Sequence, residues 1–407
     1  MTTDFDIVIA GGGLNGPALA LALAGAGLRV AVIDPRPADA RAADEFDGRA
    51  YALAVASQRL LRALGLWGGL EGESQPIREV KASQGQPGEG AAPFFLHFDS
   101  AEIEEGPVGY MLEDRFLYRA LLTGMDGSVT HMPGVSVISQ EIGAAHVTAG
   151  LSDDRQITAQ LLIGADGRGS GVARRAGIAR QGWDYGQTAL VAAIDHELPH
   201  EGIAHQYFMT TGPLAILPLP GNRSSVVWSE TDANAGAIKS LPDDEFLRVL
   251  EPRFGGFMGK IALAGQRFSY PLSLSLAESY TAPRIALVGD AAHGVHPIAG
   301  QGLNLGLRDV AALAQVIVEA ARRGEDIGAV DVLERYQQWR RFDATSLALG
   351  MDTVNRLFAS ENPVVAALRG AGMGAVTAIP GLRRRFMRQA AGLSVDPMPR
   401  LLNGQAL

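Results

Sequence analysis

Apolar positions in this chain cluster in two ways: short unbroken runs near the start, and alternating or broken runs in the middle. Phe5–Ala10 has strand length and is apolar but for Asp6, and Gly11-Gly12-Gly13-Leu14-Asn15-Gly16 follows at once. Pro17–Ala26 is Ala/Leu-rich and long enough for a helix, and Leu28–Ile33, apolar but for Arg29, is a second strand ending in Asp34. The order strand, glycine turn, helix, strand predicts a parallel α/β unit. Later segments extend it, with strands predicted at Gln160–Ile163 and Arg284–Val288 and helices at Ser57–Leu64, Glu113–Leu122 and Leu303–Ala321. Between them, Thr188–Ile194, His205–Phe208, Ala215–Pro218 and Ser224–Glu230 are period-2 or apolar segments joined by turn residues. They predict a second, mostly antiparallel sheet. Pro76–Gly109 reads as irregular, a sheet edge with short strands such as Phe94–Phe98. Toward the C-terminus, Val332–Val354 predicts a long helix, whereas Val364–Met373 is apolar but broken by glycine.

The fold class is therefore α/β: a Rossmann-like domain, a discontinuous and mostly antiparallel substrate-domain sheet, and a C-terminal helical segment. Residues 1–75, 110–180 and 271–345 are assigned to the first, 76–109 and 181–270 to the second, and 346–407 to the third. With 407 residues and 47% hydrophobic content the chain has enough material for a large core and two domains. A net charge of −9 argues against a nucleic-acid partner. The absence of cysteine excludes disulfides, Cys-ligated metals, iron–sulfur clusters and thiolate catalysis. Met1–Asp6 is acidic, lacks a basic region, and leads into a strand instead of a signal peptide. With no run of 18 apolar residues, no membrane span is expected. A cytoplasmic protein is expected, with contact at the inner face of the membrane left open.

The candidate chemistry sits at the ends of the predicted parallel strands. Gly11 permits the tight turn, Gly13 allows backbone approach to a pyrophosphate, and Gly16 permits close helix packing. The helix N-terminus behind them offers free N–H groups to phosphate. Asp34, about twenty residues beyond Gly13, is placed to accept from both ribose hydroxyls, which favours FAD or NAD over NADP. Asp166, in Gly164-Ala165-Asp166-Gly167, suits a hydroxyl or an arginine, or a cap on a helix at Val172–Ala176. Asp290, in Gly289-Asp290-Ala291-Ala292-His293, suits the ribityl chain of a flavin. The loop through Pro297 and Gly300-Gln301-Gly302 leads into Leu303 and Asn304, where a helix N-terminus faces the pyrimidine edge and favours the charge of reduced flavin. Arg49 either reaches the pyrophosphate, frames the ring pocket or lays its stem across a helix. His293 and His296 lack a third metal ligand, and without a Gly-x-Ser-x-Gly elbow they are expected to hydrogen-bond within their loop, so no metal is expected. Tyr207, Tyr270 and His205 are polar candidates in the second sheet, each expected to be a wall or core residue.

On these residues the chain resembles the FAD-dependent hydroxylases of ubiquinone biosynthesis, within the para-hydroxybenzoate-hydroxylase-like flavin monooxygenases. The stretch His296-Pro297-Ile298-Ala299-Gly300-Gln301-Gly302-Leu303-Asn304 through Asp309 carries the strongest likeness. Gly109-Tyr110-Met111-Leu112-Glu113-Asp114-Arg115 is similar to the family's Gly-Tyr-x-x-Glu-Asn-Arg segment, with Asp114 in place of the usual Asn. The resemblance implies that Arg115 and Asp290 contact the ribityl or phosphate region. It further implies that Asp166 supports the FAD and reductant side, that Gly302–Asn304 back the flavin ring, and that His296, Pro297 and Arg49 border the ring pocket. It implies non-covalent FAD, NAD(P)H as reductant and O₂ as co-substrate, with a flavin hydroperoxide attacking a phenolic carbon. The implied substrate is a polyprenylated phenol. Alternatives are another lipophilic aromatic, or electron transfer without hydroxylation. A quinone-biosynthesis assembly is the implied protein partner. In Gly381–Arg388 basic and apolar residues interleave, which suits an anionic bilayer or a partner protein. The other arrangement points its arginines to solvent while Leu382, Phe386 and Leu393 close the core.

Overall fold

The computed structural model describes residues 3–37, 45–86, 90–360 and 362–407. Its first sheet has strands Ile285–Leu287, Gln156–Gly164, Phe5–Ala10, Val30–Asp34 and Thr130–Pro133 side by side, all parallel. Antiparallel strands Val137–Ile142 and Val147–Leu151 extend it beyond Gln156–Gly164. Ile7, Val8, Ile9, Val32, Leu161 and Leu162 are sealed from solvent, as unbroken apolar runs require when helices cover both faces. The helices Asn15–Ala24 and Gln301–Arg322 pack on this sheet and on each other. A further helix, Val330–Ala359, lies against Gln301–Arg322 and continues unbroken through position 346.

The second sheet runs His293–Gly294, Phe268–Ala277, Arg180–His196, Arg223–Thr231, Gly212–Leu219, Ile203–Met209, Glu79–Gln86, Gly90–Asp99. Every neighbouring pair is antiparallel except Ile203–Met209 with Glu79–Gln86. Helix Asp243–Phe254 closes one face, burying Phe246, Leu250 and Phe254 against Trp228 and Leu214. Residues 76–109 are more regular than their pattern suggests. A register shift between Ser83 and Gly85 interrupts the alternation, so a paired hairpin reads as loop in sequence. A small sheet of Ala50–Ala54, Gly109–Glu113 and Gln75–Ile77 bridges the two larger ones.

The C-terminal region departs from its sequence pattern in two places. Pro363–Ala378 is one continuous helix despite Gly370, Gly372 and Gly374. Each such glycine costs about 1 kcal/mol relative to alanine; the Asn362 cap on Val364 and packing against strand Gly90–Asp99 offset this. In helix Pro380–Ala390 the residue that closes the core is Met387, fully buried, whereas Phe386 is 49% exposed. Arg383 pairs with Glu102 and Arg388 with Glu105, tying this helix to the edge of the second sheet. Among the described residues no helix is long and apolar enough to cross a membrane.

Candidate active site

Three chain crossings converge where the parallel strands end. Ala165 N donates to Ala10 O at 2.7 Å, Gly11 N to Ile33 O at 2.8 Å and Val288 N to Gly164 O at 3.0 Å. The glycine turn, the Asp166 loop and the Asp290 loop therefore share one edge, the carboxyl end where open α/β sheets bind ligands. Gly11 has φ +116°, and a Cβ there would lie 2.2 Å from Ala165 O. A Cβ on Gly16 would lie 1.9 Å from Gly11 O. These two positions admit only glycine. A Cβ on Gly13 would meet nothing within 4 Å, so that backbone faces open space. Asp34, 2% exposed, accepts from Gly12 N at 2.5 Å and from Arg36 N at 2.7 Å, holding the turn against the second strand.

Asp166 is spent on local structure: it accepts from Ser170 Oγ at 2.6 Å, Gly171 N at 2.8 Å and Val172 N at 3.1 Å, capping helix Gly171–Arg175. That cap fixes the turn from which Arg168 reaches Asp290 at 3.3 Å. The Asp290 side chain is 44% exposed, while Arg180 donates to its backbone carbonyl at 3.1 Å. Arg49 pairs with Asp47 at 2.7 Å, sits 3.6 Å from Asp114 and lies over the Phe268 ring at 5.8 Å. Arg115 pairs with Glu113 at 2.7 Å and stacks over Phe116 at 4.4 Å. Both arginines flank the small bridging sheet, where Asp114 N donates to Arg49 O at 2.9 Å.

The third wall is the loop after Asp290. Pro297 precedes a short turn, and Gly300, at φ +61°, starts helix Gln301–Arg322 with no side-chain cap. Gly302 faces open space and Leu303 is half-buried. Asn304 is 1% exposed and fully used. Its Oδ1 accepts from Ala54 N and Ser57 Oγ, both at 2.8 Å, and its Nδ2 donates to Ala52 O at 2.8 Å and Gly300 O at 2.9 Å. Asn304 thus stitches the segment after Arg49 to the helix N-terminus.

The two histidines of this loop differ. His293 Nε2 lies 2.6 Å from Asp309 Oδ2, both side chains sealed from solvent. Asp309 also receives Arg340 Nε at 2.8 Å and Gly289 N at 3.0 Å, and Arg340 pairs onward with Asp343 at 2.5 Å. Burial alone would push the Asp309 carboxyl up, but His293 and Arg340 outweigh it and hold it below the usual carboxylate range. His296 is 1% exposed, and burial pushes its imidazole down to about 4. The buried charge cluster is absent from the expected chemistry. Its signal in sequence is Arg340 at helical spacing with Leu333, Tyr336 and Ala344, all fully buried, so a charge sits on an apolar face.

Two helix N-termini without side-chain caps, two glycines facing open space and a half-exposed strand-end carboxylate are the parts of a dinucleotide flavoprotein site. The chain matches the FAD binding domain family over residues 4–348. It is 45% identical over 406 residues to ubiquinone hydroxylase UbiL of Rhodospirillum rubrum, covering 99% of this chain and 93% of that protein. It is 34% identical over 394 residues to 3-demethoxyubiquinol 3-hydroxylase of Escherichia coli, covering 95% and 98%. In fold it is similar to p-nitrophenol 4-monooxygenase PnpA from Pseudomonas putida, with a TM-score of 0.79, 19% identity, and 97% and 99% of the two chains covered. The chain belongs to the FAD-dependent ubiquinone-biosynthesis hydroxylases, within the para-hydroxybenzoate-hydroxylase-like flavin monooxygenases.

Proposed function

We propose that this protein hydroxylates the ring of a polyprenylated phenol in ubiquinone biosynthesis, with non-covalent FAD, O₂ and NAD(P)H as reductant. The observation that carries the reading is the end-to-end match to ubiquinone hydroxylase UbiL, 45% identity over 99% of this chain. Bound FAD supplies the redox and oxygen-transfer chemistry, and the protein binds, orients and excludes water. Gly11, Gly13, Gly16 and the helix behind them hold the pyrophosphate, and Asp34 takes the adenosine ribose. Asp290 and Arg115 hold the ribityl or phosphate region. Asp166 acts through the turn it caps, fixing Arg168 beside Asp290. Gly300, Gly302, Leu303 and Asn304 set the helix end against the flavin ring, whose pocket is bordered by Pro297, His296 and Arg49.

The prenyl tail calls for a route from lipid. Ile379 and Phe386 are 52% and 49% exposed, and Arg384 and Arg385 beside Phe386 are exposed as well. This supports peripheral contact with an anionic bilayer at the inner face of the membrane. Arg383 and Arg388 pair with Glu102 and Glu105 within the chain, so Arg384 and Arg385 are the cations favoured for that contact. The same exposed patch suits a quinone-biosynthesis assembly.

The test is mass spectrometry of lipid extracts from a strain lacking the gene. An accumulated prenylphenol short of one oxygen is expected, and its ring pattern names the carbon. A normal quinone profile with no redundant enzyme would shift the reading to another lipophilic aromatic. Turnover of reductant without incorporation of labelled O₂ would shift it to a non-hydroxylating flavin reductase.

A further inference from the structure

The loop between Asp290 and helix Gln301–Arg322 holds the least satisfied side chain described. His296 is 1% exposed, and neither ring nitrogen has a hydrogen-bond partner. Among the described residues it is the one side chain with two polar atoms both buried and unpaired. Tyr185 meets it edge-on, ring centroids 5.1 Å apart at 76°. The Tyr185 hydroxyl is also buried, with the Asp352 carboxylate and Trp183 close by.

Their polar neighbours are paired. Trp183 Nε1 donates to Asp352 at 3.1 Å, and Arg356 bridges the same carboxylate at 2.9 Å. Asn355 donates to Gln187 at 3.2 Å, and Gln187 to Thr211 O at 2.9 Å. An unpaired buried polar group is destabilising until a partner completes it. The location agrees. Arg168, the partner of Asp290, packs on the same loop two residues before His296, where a Cβ on Gly294 would lie 3.3 Å from its Nε. Two residues on, Ile298 joins an apolar cluster with Phe208, Phe358 and Met373, drawn from the second sheet and the C-terminal helices. A ring hydroxyl beside an apolar tail is the ligand chemistry that needs both ends. The neutral imidazole, kept so by burial, is an acceptor at working pH.

We propose that His296 and Tyr185 form the hydrogen-bonding end of the substrate-ring site, the His296 imidazole accepting the phenolic hydroxyl. The proposal rests on the aromatic-hydroxylation reading above. It implies that His296 is retained at a cost to the ligand-free fold.

The experiment titrates the FAD-loaded protein with an ortho-prenylphenol and with its O-methyl ether, following the flavin absorption spectrum. The unaltered protein is expected to bind the phenol about tenfold tighter than the ether, the worth of one buried hydrogen bond. His296→Leu should erase that ratio while the ether binds as before, and should leave the melting temperature of the ligand-free protein unchanged or higher. Tyr185→Phe, which alters no ring volume, should reduce the ratio, and it carries the test if His296→Leu fails to hold flavin. An unchanged phenol-to-ether ratio in the variant tested overturns the proposal. Failure of the unaltered protein to bind either compound overturns the aromatic-substrate reading and this proposal with it, which separates the two failures.

Discussion

The strand-end site and the charge cluster directly behind it are built from the same motif with opposite physics. In front, the Asp290 carboxylate is 44% exposed and pairs with Arg168 at 3.3 Å, a contact that water weakens. Behind, His293, three residues along, is sealed with Asp309 and Arg340 in a chain of contacts reaching Asp343. Proximity in sequence therefore does not assign a role. Exposure separates the two: the open carboxylate is accessible from solvent, and the closed one holds the loop. Gly289 N donating to Asp309 at 3.0 Å is the physical link between the two, since the cluster fixes the backbone from which Asp290 projects.

The strongest way to break this contrast is Asp309→Asn. It leaves Arg340 buried with its main countercharge gone, and unfolding stability should fall by about 3–5 kcal/mol, read as a lower urea midpoint at unchanged slope. A variant of normal stability that merely lost flavin would show that the cluster serves the cofactor instead. Next comes acid. Burial holds His296 at about 4 against an ordinary 6.5, with Arg168 reinforcing and Asp352 opposing. Between those values the unfolded chain binds the extra proton, so ligand-free stability is full above pH 6.5 and falls as pH drops toward 4, by up to about 3 kcal/mol. His296→Leu should flatten that part of the pH–stability curve; an equally steep curve would place the proton elsewhere.

Asp290→Ala sharpens the contrast from the front. FAD affinity should fall by about 1–3 kcal/mol, with ligand-free stability within about 0.5 kcal/mol of the parent, as equilibrium dialysis and urea melts would report. Equal loss in both measurements would make Asp290 a structural residue. The smallest effect is expected at Gly13→Ala. The added methyl meets no protein atom, so stability should hold within about 1 kcal/mol. FAD affinity should drop about tenfold as the methyl occupies pyrophosphate space; unchanged affinity would move the phosphates away from Gly13.

Sequence pattern reveals the parallel unit because unbroken apolar runs leave little else to be. It offers a helix cap as one of the readings of Asp166 because capping is local, with partners only four to six residues away. It misses what depends on distant partners. The Asn304 side chain bonds Ala54 N across 250 residues, and nothing near Asn304 signals that contact. Strand Arg180–His196 is legible only over Thr188–Ile194, because a register shift between Asp184 and Gln187 breaks its alternation. Tyr185 falls in that break and carries no periodic signal.

Helix Val330–Ala359 carries a practical lesson for anyone recombining relatives of this enzyme. At 30 residues it is roughly 45 Å long. Its first half supplies Tyr336, which donates to Leu287 O at 2.7 Å, and Arg340. Its second half supplies Asp352, Asn355 and Phe358, which touch Trp183, Gln187 and Phe208. A crossover placed inside it would join a half that packs by the parallel sheet to a foreign half that packs on the second sheet, with the register of both sets of contacts at stake. The unit to exchange between parents is the whole helix, with breakpoints outside Val330–Ala359.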